Sequence, residues 1–200
     1  VTGFHGARRY VNRHRDQHRY FTLYDVAHLG VFKNPEYVDL VDQPTPWSAS
    51  MRPDFSNFVR APCDVVTSAG DGIGAALAIV CYEHASAGEA MSTLAAAREL
   101  PGVTACHLGE GQGGAPPMPW SSPLAASPPL RMFDRVALIE TLDRQSAVHA
   151  LAHVQATFGL GGQPPDFGCD VYDLAFVFPG HDASERGRHR RPHWDGGNAS

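Results

Sequence analysis

Lysine is almost missing from this chain: Lys33 is the only one in 200 residues, and the other basic side chains are arginine. With a net charge of −5 there is no surplus of positive charge, so no broad nucleic-acid surface is expected. The four cysteines (Cys63, Cys81, Cys106 and Cys169) are too far apart for a CxxC metal or redox motif. Cys63, Cys81 and Cys106 lie in or beside apolar runs, where a free thiol acts as a small hydrophobe, so a reducing compartment is expected. The longest apolar run, Ile73–Tyr82, is too short to cross a bilayer, and no secretory signal pattern is visible. Together these absences predict a cytoplasmic protein without membrane or nucleic-acid partners.

What is present is ordinary globular composition, with 43% hydrophobic and 18% charged residues. Strand-like runs cover Phe4–Val11 and Arg19–Val26, joined by the polar segment RHRDQH. Alternation places Phe4, Gly6, Arg8 and Tyr10 on one face of the first run. In the second it sets Phe21, Leu23 and Asp25 against Tyr20, Thr22, Tyr24 and Val26. Asn34-Pro35 opens a helix, with Asn as N-cap, Pro at the first helical position and Glu36 in the first turn. Pro44 and Pro46 break it, a short helix follows to Met51, and Asp54–Val66 returns to strand character. Arg52 is placed to bond carbonyls at a helix end, and Trp47 to fill the gap where the prolines turn the chain.

Val66–Ala78 (VTSAGDGIGAALA) has the look of the TGxxxGIG turn of short-chain dehydrogenases, where backbone N–H groups meet a pyrophosphate. Those enzymes need a Tyr-x-x-x-Lys pair downstream, and no lysine follows Gly74. Ser68 also replaces the first glycine. Ser68–Gly74 therefore reads as a flexible joint. After it come a strand at Ala75–Glu83, a helix at Ala87–Leu100 and a strand at Val103–Leu108. A Gly/Pro-rich surface loop over 109–129 precedes a strand at Phe133–Leu142. Ser146 caps a helix over Ala147–Phe158, and Asp170–Phe178 is the last strand. The tail from 180 to 200 has a disordered composition.

The halves align. Gly3 matches Gly102, RYFTLYDV matches DRVALIET, Leu23 falls on Leu138 and Asp25 on Glu140. The second half reads β-α-β-β-α-β, the split βαβ order of ferredoxin-like units. The first lacks the opening strand and helix: either about 25 to 35 residues are expected before Val1, or the protein does without them and leaves an edge strand that needs cover. The expected fold is α+β: two tandem ferredoxin-like units with antiparallel sheets forming an α/β barrel, the first incomplete. Their bounds are residues 1–68 and 69–179.

The stretches GFHGARRY, RYFTLYDV and NPEYVDLVDQPTPWSASMRPDFSNFVR resemble bacterial proteins of the dimeric α/β-barrel superfamily. That group includes EthD-like proteins, muconolactone isomerases, cofactor-free antibiotic-biosynthesis monooxygenases and chlorite dismutases. The Trp-Tyr…Glu-His stretch usual in the opening helix has no counterpart here. The resemblance implies a small-molecule ligand, a homodimer, and cofactor-independent isomerisation or oxygenation of an aromatic or lactone-type metabolite. The alternative function is a non-catalytic scaffold or dimerisation module.

Candidate chemistry sits at matched strand positions. Arg8 aligns with His107 and Asp25 with Glu140, so each half offers a basic and an acidic group on adjacent strands. On a shared face, bordered by a pocket of Tyr10, Phe21, Leu23, Tyr24 and Trp47, they would serve as acid or base. The alternative is a cross-strand ion pair that only neutralises buried charge. His149 and His153 have i, i+4 metal spacing, but no third ligand can be named and nothing marks either as a haem ligand. Cys106 and His107 point to opposite faces of a strand, which rules out a nucleophilic pair. The tail residues His181, His189 and His193, with their neighbouring arginines, read as solvated. No metal and no cofactor are called for.

Overall fold

The computed structural model describes residues 1–55, 58–83, 87–112, 133–158 and 168–179. The predicted 109–129 loop falls outside these residues from 113 onward, as does the 180–200 tail. Seven strands form one sheet: β1 (Phe4–Val11), β2 (Tyr20–Val26), β3 (Cys63–Ala69), β4 (Ala76–Tyr82), β5 (Val103–Gly111), β6 (Arg135–Thr141) and β7 (Cys169–Pro179). Their order is β2-β1-β7-β4-β6-β5-β3, and every neighbouring pair is antiparallel. The halves therefore share a single sheet instead of holding one each, because β1 pairs with β7 and β3 pairs with β5.

Alternation along the central strands sorts the core into two layers. Ala76, Ala78, Val80 and Tyr82 of β4 pack outward against α3 (Ala87–Arg98) and α4 (Arg144–Thr157). Those helices answer with Ala90, Leu94 and Ala97, and with Ala147, Ala150 and Val154. Small residues on both helices let them approach the sheet closely. Leu77, Ile79 and Cys81 of β4 point the other way, joining Tyr10, Val136 and Leu138 in a second apolar cluster. Among the described residues no helix packs on that inner layer; the sheet curls over it.

Two hairpins repeat one another in register. Arg8 stands opposite Leu23 and His107 opposite Leu138. The Gly3 carbonyl accepts from Ala27 N–H and the Gly102 carbonyl from Leu142 N–H, both at 2.8 Å. Gly3 and Gly102 both have positive φ, +88° and +82°, which an L side chain adopts only at a cost.

Local signals account for the smaller elements. Helix α1 (Pro35–Asp42) starts at Asn34, whose side chain accepts from the Glu36 amide. Thr45 caps α2 (Pro46–Met51) through the Ser48 amide, and Arg52 donates to the Val41 carbonyl at 2.5 Å. Three expectations need correction. The predicted strand over 54–66 begins only at Cys63, since residues 52–54 continue the α2 region as a short 3-10 turn. Asp143, not Ser146, caps α4: its carboxylate accepts the Ser146 amide at 2.8 Å. A register shift between Phe4 and Gly6 moves Phe4 off the inner face and onto Tyr24, Phe32 and Tyr37. None of the described helices is long and apolar enough to cross a membrane.

Candidate functional site

Strands β1 and β6 are three steps apart in the sheet. Flat, they would be separated by about 14 Å, with side chains standing perpendicular to the plane. Yet Arg8 on β1 donates to Glu140 on β6 at 2.5 Å. Contact at that range requires the sheet to curl, and the curl makes the inner face a concavity. Arg8 also reaches Asp25 on β2 at 3.1 Å, so one guanidinium joins the two carboxylates that the sequence repeat aligns.

Glu140 is fully buried and receives three donors. Besides Arg8, the Tyr10 hydroxyl donates to it at 2.9 Å and the Gly74 amide at 2.9 Å. Burial pushes its carboxyl above the ordinary range; the Gly74 amide, Arg8 and Tyr10 oppose that, and Asp25 adds to it. The Tyr10 phenol is raised well above its usual value, by burial first and then by the Glu140 charge. It remains a proton donor at neutral pH. Arg8 is nearly buried, and its Nε has no hydrogen-bond partner among the described residues.

His107 lies on the same inner face, since it stands opposite Leu138 on one side and Ser68 on the other. Its Nδ1 is 2.9 Å from the Ser68 hydroxyl. Burial and the Arg8 charge lower its pKa, against the pull of Asp25 and Asp71. The ring is therefore neutral at pH 7. In the tautomer that donates Nδ1–H to Ser68, Nε2 carries the lone pair; in the other, the Ser68 hydroxyl donates to Nδ1.

Three of the four aligned residues meet, Arg8 touching Glu140 and Asp25 directly, while His107 shares their face, is bonded to Ser68 and lies within electrostatic reach of Arg8 and Asp25. Tyr10 and Phe21 belong to the inner layer, beside Leu23. Tyr24 and Trp47 do not. Tyr24 is on the outer face of β2, as the period of two demands, and packs edge-on against Phe4 at 6.0 Å. Trp47 on α2 is 73% exposed and lines nothing on the inner face.

Two contributors have no counterpart in the sequence reading. Ser68, placed in a joint, is in strand β3 and orients His107. Gly74, from the same presumed joint, supplies a backbone donor to Glu140; a Cβ there would lie 2.3 Å from the Thr141 nitrogen. A register shift between Val65 and Thr67 breaks the alternation just before Ser68, so simple period-two spacing gave no signal for it. For Gly74 no sequence signal distinguishes a close approach from a flexible link.

Away from the concavity, Pro101, Asp143, Gln145, Ser146 and His149 line a shallow surface hollow at the start of α4. His149 is exposed and His153 half-buried. No group of three or more His, Cys, Asp or Glu residues is placed to hold a metal ion among the described residues. Cys81, Cys106 and Cys169 are buried and free, and Cys63 is half-buried with its thiol pushed up to about 11 by burial.

No protein-family model matches the sequence, and no curated protein matches it. Among solved structures, the chain is similar to a candidate monooxygenase from Fusobacterium nucleatum subsp. nucleatum. The TM-score is 0.50 at 13% identity, covering 89% of this chain and 79% of that one. The likeness is one of fold. An anthrone oxidase-like protein superposes with a TM-score of 0.49 at 10% identity, over 88% of this chain and 78% of the other. The α+β architecture with a curled antiparallel sheet is shared with the Fusobacterium protein.

Proposed function

We propose that the concave face binds an aromatic or lactone-type small molecule and acts on it by acid–base chemistry, as an isomerase- or monooxygenase-like enzyme independent of a cofactor. The observation that carries this reading is that His107, whose pKa burial and the Arg8 charge lower, shares one face of the sheet with the Arg8–Glu140–Tyr10 cluster and an apolar wall of Phe21, Leu23, Ile79 and Leu138. His107 Nε2 takes a proton from a carbon next to a ligand carbonyl. Tyr10 keeps its O–H on Glu140 and so holds that carboxylate in place, and the proton on His107 returns to another carbon in an isomerisation. The Fusobacterium likeness fits a monooxygenase-like assignment but supports only the fold.

The test uses 2-tetralone, an aromatic ketone with an acidic C–H, incubated in D2O. The chain should speed deuterium incorporation, and His107→Gln should slow it by about 100-fold, the usual worth of a positioned base. Exchange no faster than buffer, with no chemical-shift change at Leu23 or Leu138 on adding the ketone, overturns the reading.

We also read the chain as two related units, residues 1–68 and 69–179. Support comes from the matched hairpins, with Arg8 opposite Leu23 and His107 opposite Leu138. A second function, a non-catalytic docking module, is favoured by one observation: α1 and α2 hold no fully buried residue. Enzyme and module are separated by the His107→Gln result, which a docking role leaves unchanged.

A further inference from the structure

A serine and a histidine face each other across the β3–β5 ladder because its alternation breaks. Cys63, Asp64 and Val65 stand opposite Gly111, Glu110 and Gly109, a register that would set Thr67 against His107. The shift between Val65 and Thr67 adds one residue, so Thr67 falls opposite Leu108 and Ser68 opposite His107. Cys63 packs on the inner cluster, and in an unbroken strand Ser68, an odd number of residues further on, would point outward. The bulge turns it inward instead. Its hydroxyl comes to 2.9 Å from His107 Nδ1.

A serine hydroxyl within hydrogen-bond reach of a neutral imidazole is the pairing that nucleophilic catalysis requires. Ser68 is exposed, so a reacting carbonyl can reach it, and His107 is half-buried. Burial and the Arg8 charge keep the ring able to accept a proton, while Asp25 and Asp71 favour the imidazolium that then forms. Leu138, opposite His107 on the β6 side, belongs to the apolar inner layer and offers a surface to the body of a substrate. Ser146 and His149 are also neighbours, in the hollow at the start of α4. There the Ser146 hydroxyl is taken up by the Asp143 carboxylate, so that pair serves as a comparison.

We propose that Ser68 is a nucleophile, with His107 as its base, for the cleavage of carboxylic esters of phenols. Ser68 Oγ bonds to the carbonyl carbon as its proton passes to His107 Nδ1 and the carbonyl electron pair moves onto oxygen. That pair returns, the bond to the phenol oxygen breaks, and the departing phenolate takes the proton from Nδ1. Water then gives a proton to Nδ1 and attacks the acyl-serine. The carboxylic acid leaves and Ser68 Oγ takes the proton back. No oxidation or reduction occurs, and water is the co-reactant. The activity does not rest on proton abstraction from carbon, which needs Nε2 unprotonated; here Nε2 carries the proton and Nδ1 does the work.

Two probes test it on the full chain. With para-nitrophenyl acetate, nitrophenolate release should outrun buffer. With diisopropyl fluorophosphate, digestion and mass spectrometry should find the phosphoryl group on Ser68. Ser68→Ala should lose both, and His107→Gln should slow both by about 100-fold, the usual worth of a positioned base. Ser146→Ala should change neither. The label is read on the unaltered chain, so it decides the matter even where a variant fails to fold. Release at the buffer rate, release undiminished by Ser68→Ala, or label on another residue overturns the proposal. Deuterium exchange into 2-tetralone is scored separately, and either activity can fail without the other.

Discussion

The Arg8 guanidinium donates to the Glu140 carboxylate at 2.5 Å, although β7 and β4 lie between their strands. This pair fastens the curl of the sheet and belongs to the candidate site, so it joins stability to function. Arg8→Ala leaves a carboxyl that is 0% exposed without its charge partner. The expected loss is about 3 kcal/mol, the usual result of breaking a buried pair from one side. The double change Arg8→Met with Glu140→Leu should recover most of it, because apolar replacement removes both desolvation penalties. Urea denaturation of the three proteins measures this, and equal losses in the single and double variants would contradict it.

A second prediction concerns pH. Burial holds the Glu140 carboxyl above its unfolded value, so the folded state keeps a proton that the unfolded chain has already lost. The sign follows from proton counts: with more protons bound in the folded state, stability falls as pH rises through that window. The window opens near the unfolded glutamate value, about 4.3, and closes at the raised folded one. Other carboxylates slope the opposite way, so the readout is the difference between wild type and Glu140→Gln. The variant should gain on wild type as pH climbs from 4 to 8, beyond any constant offset from the lost ion pair. A difference flat in pH would show that Glu140 titrates normally.

His107 offers a more local reading of the same field. Its NMR titration midpoint should lie below the ordinary histidine value of about 6.5. Burial is the largest cause and the Arg8 charge the next, while Asp25 pulls upward. Arg8→Met should therefore raise the midpoint, and Asp25→Asn should lower it further. Opposite movements in the two variants identify electrostatics as the coupling. If neither variant moves the midpoint, His107 is not within reach of the cluster.

The face that carries this cluster was legible in the sequence, because a period of two assigns each strand residue to a side. The hairpin repeat supplied the alignment of Asp25 with Glu140, and the structure hangs both on one arginine. What period cannot give is curvature: nothing in FHGARRYV or RVALIET says that β1 and β6 meet across two intervening strands. Phe4 left its assigned face because a bulge adds a residue that alternation does not count. Trp47 misled for another reason. A large apolar residue normally argues burial, and on α2 it is 73% exposed because no described element covers that helix.

The glycine-rich stretch gives the last prediction. Gly74 donates its amide to Glu140 while passing so near β6 that an added Cβ would meet the Thr141 nitrogen at 2.3 Å and its oxygen at 2.4 Å. Both atoms are backbone, so neither can swing aside as a side-chain end would. Gly74→Ala must push the segment away from β6 and take the donor from a fully buried carboxylate. A loss of about 2 to 4 kcal/mol is expected, from overpacking and an unmade hydrogen bond together. Gly88 in α3 is the control: it is exposed and an added Cβ meets nothing within 4 Å. Gly88→Ala should be neutral or stabilise by up to about 1 kcal/mol, through helix propensity. Thermal denaturation of the two variants side by side checks the contrast. A Gly74→Ala protein as stable as wild type would mean the segment is the loose joint its composition suggests, and that Glu140 does not rely on it.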